Sequence, residues 1–251
     1  MSVAIITGAS SGIGKEYFRQ VVNQCPEIDE IWLIARRKER LIELAESCPE
    51  RTVAAISLDL TEEKSFELFE QILAEHKPSV QLLINNAGFG DMGEFEYSEA
   101  ETQIKMIDLN ITALTKMTKM VLPYLIDDSS ILNVSSIASF APTPGMTVYS
   151  ATKSYVTAFS RALDYELMDR QISVTAVCPG PMETEFFSVA GINKESAPKY
   201  MKLPKDDPKK MAEKSLQAAL DGKPMYVGKY KWYHFLSKFL PHSFVMRFTN
   251  V

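Results

Sequence analysis

The chain has 251 residues and little cysteine: Cys25, Cys48 and Cys178 fall in separate segments with no Cys-x-x-Cys spacing. An odd number cannot all pair internally, so neither a disulfide framework nor a structural metal site is expected. There is no excess of positive charge. The formal net charge is −5, without the clustered basic face that nucleic-acid binding needs. No apolar run approaches the roughly 20 residues of a membrane-spanning helix, and the opening MSVAIITGAS lacks a basic segment ahead of a long apolar stretch. The cytoplasm is the expected location. His76, His234 and His242 are scattered along the chain and are assigned no chemical role. There is also no repeat at a period of 20 to 50 residues and no linker that divides the chain.

What is present is an ordinary globular composition, 46% hydrophobic and 24% charged, in a length that suits one domain with a substantial core. Short runs rich in Val, Ile and Leu alternate with longer stretches of helical period, the pattern of βα units. The runs are residues 3–7, 31–35, 52–58, 80–85, 130–135, 172–178 and 224–228. The helical stretches fall near 13–24, 37–47, 62–76, 99–126, 147–169 and 207–221. Because the strand runs are apolar on both faces, helices are expected above and below them. The expected fold is a single doubly wound α/β domain of Rossmann type over residues 1–228, with about seven parallel strands. Residues 229–251 form a C-terminal extension.

In such sheets ligands bind beyond the carboxyl ends of the strands, and the residues with chemical character sit there. TGASSGIG follows the first run and sets Gly8, Gly12 and Gly14, with Ser10 and Ile13 between them, at a strand-to-helix turn. Glycines allow close backbone approach, and a helix N-terminus attracts a pyrophosphate. At the end of the second run, where an acid would bind the ribose 2′-hydroxyl of NAD, the chain has Ala35, Arg36 and Arg37. Guanidinium groups grip a 2′-phosphate, which makes NADP the expected cofactor. Tyr149 and Lys153 lie four apart in a helical stretch and so share a face. A free tyrosine titrates near pH ~10, and a nearby ammonium is expected to lower that value.

TGASSGIG, NNAG at 85–88, NVSS at 133–136, Tyr149-x-x-x-Lys153 and Pro179-Gly180-x-x-x-Thr184 occur in one order over nearly the whole chain. Together they closely resemble the short-chain dehydrogenase/reductase family, which moves hydride between NAD(P) and a carbonyl or alcohol without a metal. The resemblance implies a tetrad of Asn110, Ser136, Tyr149 and Lys153, the serine lying thirteen residues before the tyrosine. It places Asp59 against the adenine, Asn86, Ala87 and Gly88 beside the adenine ribose, and Pro179, Gly180 and Thr184 near the nicotinamide. It also implies that Lys153 reaches the nicotinamide ribose and that Asn110 holds a water. Where some NADP-dependent members carry an extra basic residue in the loop, this chain has Ser10 and Ser11, so phosphate selectivity falls on Arg36, Arg37 and Ser10.

The stretch 182–204 has no clear period, as lids and binding loops often lack one. Met182, Phe186, Phe187, Val189 and Met201 there, with Phe89, Met92, Phe140, Pro142 and Met146, are expected to line an apolar substrate pocket. Lys194, Lys199 and Lys202 could meet a carrier phosphate. In the tail, Trp232, Phe235, Leu236, Phe239 and Leu240 recur at helical spacing up to Pro241, flanked by Lys229, Lys231, Lys238 and Arg247. Such a helix would close the substrate pocket or pack on another subunit of a dimer or tetramer; a membrane-surface helix shows the same features. The reading is an NADP(H)-dependent carbonyl–alcohol oxidoreductase with an apolar substrate. Its rival is a non-catalytic NADP(H)-binding sensor or scaffold protein.

Overall fold

The computed structural model describes residues 1–193, 195, 197 and 200–249, the side chains of 247–249 excepted. Seven strands form one parallel sheet: β1 Ser2–Thr7, β2 Glu30–Ala35, β3 Thr52–Ser57, β4 Ser79–Asn85, β5 Leu125–Val134, β6 Ser173–Cys178 and β7 Met225–Val227. Their order is β3-β2-β1-β4-β5-β6-β7. The helices are α1 Gly12–Gln24, α2 Lys38–Glu46, α3 Glu63–His76, α4 Ala100–Ile107, α5 Leu114–Val121, α6 Thr147–Glu166, α7 Glu185–Val189, α8 Pro208–Leu220, α9 Lys231–Ser237 and α10 His242–Thr249. None of the described helices is long and apolar enough to cross a membrane.

The alternation of side chains along a strand explains why the sheet is covered twice. Ala4 and Ile6 of β1, with Ile31 and Leu33 of β2, pack against Tyr17 and Phe18 of α1, Leu41 of α2 and Leu216 of α8. Their neighbours Val3, Ile5, Trp32 and Ile34 point the other way, against Phe66 and Phe69 of α3 and Met117 and Val121 of α5. Trp32 meets Phe69 edge-on with ring centroids 6.4 Å apart. Each fully buried side chain of this size contributes about 2 kcal/mol by leaving water, and the central strands bury nearly all of theirs.

Three elements differ from the sequence expectation. β3 is only half-buried, because it is the edge of the sheet and has a neighbour on one side alone. The long helix expected over 99–126 ends in a short 3-10 turn at Leu122–Tyr124, where Pro123 cannot supply a helical N–H; β5 starts directly after it. Between α4 and α5 the backbone opens into a π-helical segment, Asp108–Ala113, of the kind that recurs at functional sites.

After β6 the chain turns through Pro179-Gly180-Pro181 and is clamped from a distance. The buried Asp206 carboxylate accepts from the Gly180 N–H at 2.8 Å and the Lys229 N–H at 3.2 Å, while its own N–H donates to the Pro181 carbonyl at 2.8 Å. Tyr230, also buried, donates to the Pro204 carbonyl at 2.7 Å. Replacing Asp206 by alanine leaves both N–H groups without their acceptor and should cost about 2 kcal/mol. A urea midpoint unchanged from wild type would show that the clamp contributes nothing.

Candidate active site

The crevice opens where the chain reverses direction across the sheet, between the carboxyl ends of β1 and β4. Here the glycine-rich loop and the Asn85–Gly88 segment are joined side to side. The buried Thr7 hydroxyl oxygen accepts from the N–H groups of Asn86 and Ala87, both at 3.0 Å. The Asn86 amide donates back to the carbonyls of Thr7 at 3.0 Å and Gly8 at 3.1 Å. This approach requires glycine. Gly8 has φ +66°, and a Cβ on it would lie 2.7 Å from Asn86 Nδ2; a Cβ on Gly14 would collide with the Gly8 carbonyl oxygen. The Asn86 side chain is thus a brace for the loop, and Asn86, Ala87 and Gly88 all line the crevice.

Arg37 lies across the mouth of the loop. Its guanidinium donates to Ser10 Oγ at 3.1 Å and 3.2 Å and to Ser11 Oγ at 2.7 Å. It also pairs with Glu185 at 2.7 Å, and the second oxygen of Glu185 holds Arg40 at 2.6 Å. Sequence reasoning found Arg37 and Ser10 but missed Arg40 and Glu185. Arg40 follows Arg37 at i+3 on α2 and was legible in principle; Glu185 comes from α7 and carried no local signal. Arg36 is directed elsewhere, 3.7 Å from Asp59. Burial by itself would raise the Asp59 carboxyl, but the hydrogen bonds from Thr61 and the charge of Arg36 hold it below its ordinary value.

On the opposite wall, α6 carries Tyr149 and Lys153, both buried. Lys153 Nζ donates to the Val134 carbonyl at 2.9 Å and lies 5.7 Å from the centre of the Tyr149 ring. α6 is held to the end of β5 by Ser135, whose hydroxyl donates to the Lys153 carbonyl at 2.8 Å. Ser136 caps the following turn by accepting from the Ala138 N–H at 3.1 Å, and its side chain faces the Tyr149 phenol closely enough to lower it. Burial pushes the phenol up to about 12, against a smaller lowering by Ser136, and pushes the Lys153 ammonium down to about 8. The Tyr149 shift runs opposite to the sequence expectation, because loss of water around the phenol dominates and outweighs the lowering by Ser136.

Asn110 sits in the π-helical segment behind this pair. Its Oδ1 accepts from the Phe89 N–H at 3.0 Å, and its Nδ2 donates to the Phe89 carbonyl at 2.9 Å and to Thr152 Oγ1 at 3.1 Å. It therefore ties the loop after β4 to α6. Apart from Asn110 and Gly14, which support from behind, all the expected site residues line one cavity of about 650 Å³. That volume lies within the usual range for a small-ligand site.

The apolar side of the cavity follows the expectation only in part. Phe89, Met92, Met146, Phe186, Phe187 and Met201 gather around Tyr149, and the Phe186 ring lies 5.5 Å from that of Tyr149. Tyr200, which the sequence reading missed, joins them against Phe187 at 5.8 Å. Val189 also lines the cavity, though it is mostly exposed. Phe140 belongs instead to a cluster with Cys178, Val227 and Tyr230, because the turn after Ser136 directs it under the C-terminal tail. Met182 lines the cavity as expected while its other side packs against the core on the α1 and α8 side. Thr184 uses its hydroxyl to cap α7, accepting from the Phe186 N–H at 3.3 Å. Lys202 is exposed; Lys194 and Lys199 lie outside the described residues.

A doubly wound parallel sheet with a glycine-rich loop at its crossover defines a Rossmann-type α/β protein. The family model for short chain dehydrogenases matches residues 2–195. Sulfoacetaldehyde reductase 2 of Chromohalobacter salexigens is 37% identical over 195 residues, 73% of this chain and 74% of its own length. A short-chain dehydrogenase from Sphingobium yanoikuyae, solved in complex with NADPH, superposes with a TM-score of 0.80 at 30% identity, covering 98% of this chain and 96% of the other. The bulky-bulky ketone specific alcohol dehydrogenase of Comamonas testosteroni gives 0.75 at 29% identity, with 98% and 94% covered. The chain belongs to the short-chain dehydrogenase family.

The buried lysine has a measurable signature. Its value in the folded protein, about 8, lies below the ordinary 10.5. Between those limits the unfolded chain binds the additional proton, so the Lys153 contribution to stability rises as pH climbs through that window. Urea midpoints of wild type should increase from pH 8 to 10.5 relative to Lys153→Met. A difference that stays constant across this range would contradict the assignment.

Proposed function

We propose that this chain is an NADP(H)-dependent oxidoreductase that interconverts a carbonyl and an alcohol on an apolar small molecule. The observation that carries the reading is the convergence of Ser136 and Lys153 on a buried Tyr149, across one cavity from the glycine-rich loop. Perturbed titratable groups gathered in a cleft with complementary roles are the usual mark of acid–base chemistry.

The residues fit the cofactor. The loop around Gly8 and Gly12 and the first turn of α1 would hold the pyrophosphate; the Ser11 hydroxyl is turned to Arg37 and leaves that turn uncapped by a side chain. Arg37, held by Ser10, Ser11 and Glu185, would take the 2′-phosphate, with Arg40 and Arg36 on either side. Asp59, Ala87 and Gly88 would border the adenosine, and Pro179, Gly180 and Thr184 the nicotinamide. Bound there, NADPH supplies a hydride to the carbonyl carbon.

The chain's own groups handle the oxygen. Burial keeps the Tyr149 phenol protonated at neutral pH, ready to donate its proton to the carbonyl oxygen as negative charge develops. Ser136 donates a hydrogen bond to the same oxygen. Lys153, still mostly charged at pH 7 with a value of about 8, stabilises the phenolate once the proton has left. Asn110 positions Phe89 and α6 about this centre. Phe89, Met146, Phe186 and Phe187 make the surroundings apolar, and an aliphatic or aromatic ketone, aldehyde or β-ketoacyl compound suits them.

Following NADPH oxidation over a panel of such carbonyls tests the reading. Tyr149→Phe should bind NADPH as wild type does and lose at least about a hundredfold in turnover, the usual scale for a positioned acid. NADPH should be preferred to NADH by about tenfold or more, and Arg37→Ala should erase most of that preference. Tight NADPH binding without turnover in either direction would favour the non-catalytic sensor. Equal use of the two cofactors would remove the role given to Arg37.

A further inference from the structure

The tail divides into two faces. Tyr230 is buried, and Tyr233 and His234 pack on Phe140 with ring centroids 5.9 and 4.4 Å away. The other face of α9 and the turn after it carry Trp232, Phe235 and Phe239, which are 60%, 61% and 70% exposed. Phe235 and Phe239 lie together, centroids 5.0 Å apart. The stripe that the sequence suggested as a packing face is therefore turned away from the body of this chain.

Its charge surroundings are one-sided. Residues 222–251 contain Lys223, Lys229, Lys231, Lys238 and Arg247 and no aspartate or glutamate. They carry +5 in a chain of net −5, which leaves −10 on residues 1–221. Among the described residues, no carboxylate lies within salt-bridge distance of Lys231 or Lys238. Next to the tail, Lys210, Lys214, Lys229 and Lys231 line one recess. The two carboxylates of that recess are already engaged by backbone N–H groups, Asp206 by Gly180 and Lys229, and Asp207 by Lys210.

We propose that α9 and the turn following it dock this protein on the surface of an anionic lipid bilayer. Trp232, Phe235 and Phe239 enter the headgroup boundary, and Lys231 and Lys238 meet the lipid charge. Exposed aromatics on one side of a helix, flanked by lysines, are what an interfacial element needs, and tryptophan is favoured at that depth. Charge complementarity selects this occupant over a second copy of the chain. A twofold contact through the same face would set two +5 tails against each other. The inner face of α9 rests on Phe140, four residues beyond Ser136, so docking places the active-site wall about 10–12 Å, one helix diameter, from the lipid surface. An apolar substrate dissolved in the bilayer would then be close at hand. Docking itself does not depend on the catalytic reading.

The two tryptophans make the test direct, since Trp32 is only 1% exposed and Trp232 is not. The full-length protein is mixed with phosphatidylcholine vesicles with or without about 30% phosphatidylglycerol, and emission and co-sedimentation are recorded. Anionic vesicles should shift the emission to the blue and carry the protein down; pure phosphatidylcholine should do neither, and Trp232→Phe should remove the shift. Phe235→Ser with Phe239→Ser should abolish sedimentation. Lys231→Gln with Lys238→Gln changes two exposed side chains and keeps the apolar stripe; it should weaken binding roughly ten- to thirtyfold, as each basic residue near an anionic surface is worth about fivefold. No association with anionic vesicles, or equal association with neutral ones, would overturn the proposal. So would a dimer in lipid-free buffer that the Phe235/Phe239 variant dissociates, which would give the face to a second copy.

Discussion

Everything at the mouth of this sheet depends on two backbone segments lying closer than side chains would allow. The Thr7 hydroxyl and the Asn86 amide knit the loop after β1 to the segment after β4, and Gly8 and Gly14 are the residues that permit the approach. From that seam the other distances follow. Gly88 leads into Phe89, Phe89 is gripped by Asn110, and Asn110 also holds Thr152 on α6, one residue from Lys153. The phosphate loop and the Tyr149 helix are thus connected through a short series of hydrogen bonds, each to a backbone group or a buried hydroxyl.

The same economy appears on the α7 side. Three consecutive residues face three different parts of the cavity: Thr184 caps the helix, Glu185 holds Arg37 and Arg40, and Phe186 lies against the Tyr149 ring. A five-residue helix would be unstable by itself, so these contacts, and the hydrogen bond from the Met92 N–H to the Ala190 carbonyl, are what hold it. Movement of α7 would be felt at the arginines and at the tyrosine together.

Much of the site was legible before any coordinates. The strand runs and helical stretches emerged within a few residues because burial on both faces leaves a dense apolar signature, and the motif residues follow strand ends because parallel sheets place their ligands there. The exceptions share a cause. β3 is as apolar as its neighbours, yet it is an edge. Phe140 looks like a pocket residue but packs into another cluster, and the aromatic stripe of the tail points outward. Composition records that a side chain is apolar; it does not record which surface receives it.

The sequence by itself determined the order and type of the elements, the glycine-rich turn, the tyrosine–lysine spacing and the one-sided charge of the last thirty residues. These are local or compositional properties, carried by periodicity and by what each residue type permits in its own backbone. Only the tertiary structure decided that Glu185 meets Arg37 from 148 positions away, that Asn110 and Asn86 serve as braces, and that burial dominates the titration of Tyr149. Those outcomes depend on which groups the fold brings together and how much water it removes from between them, and neither quantity is written in any short stretch of the chain.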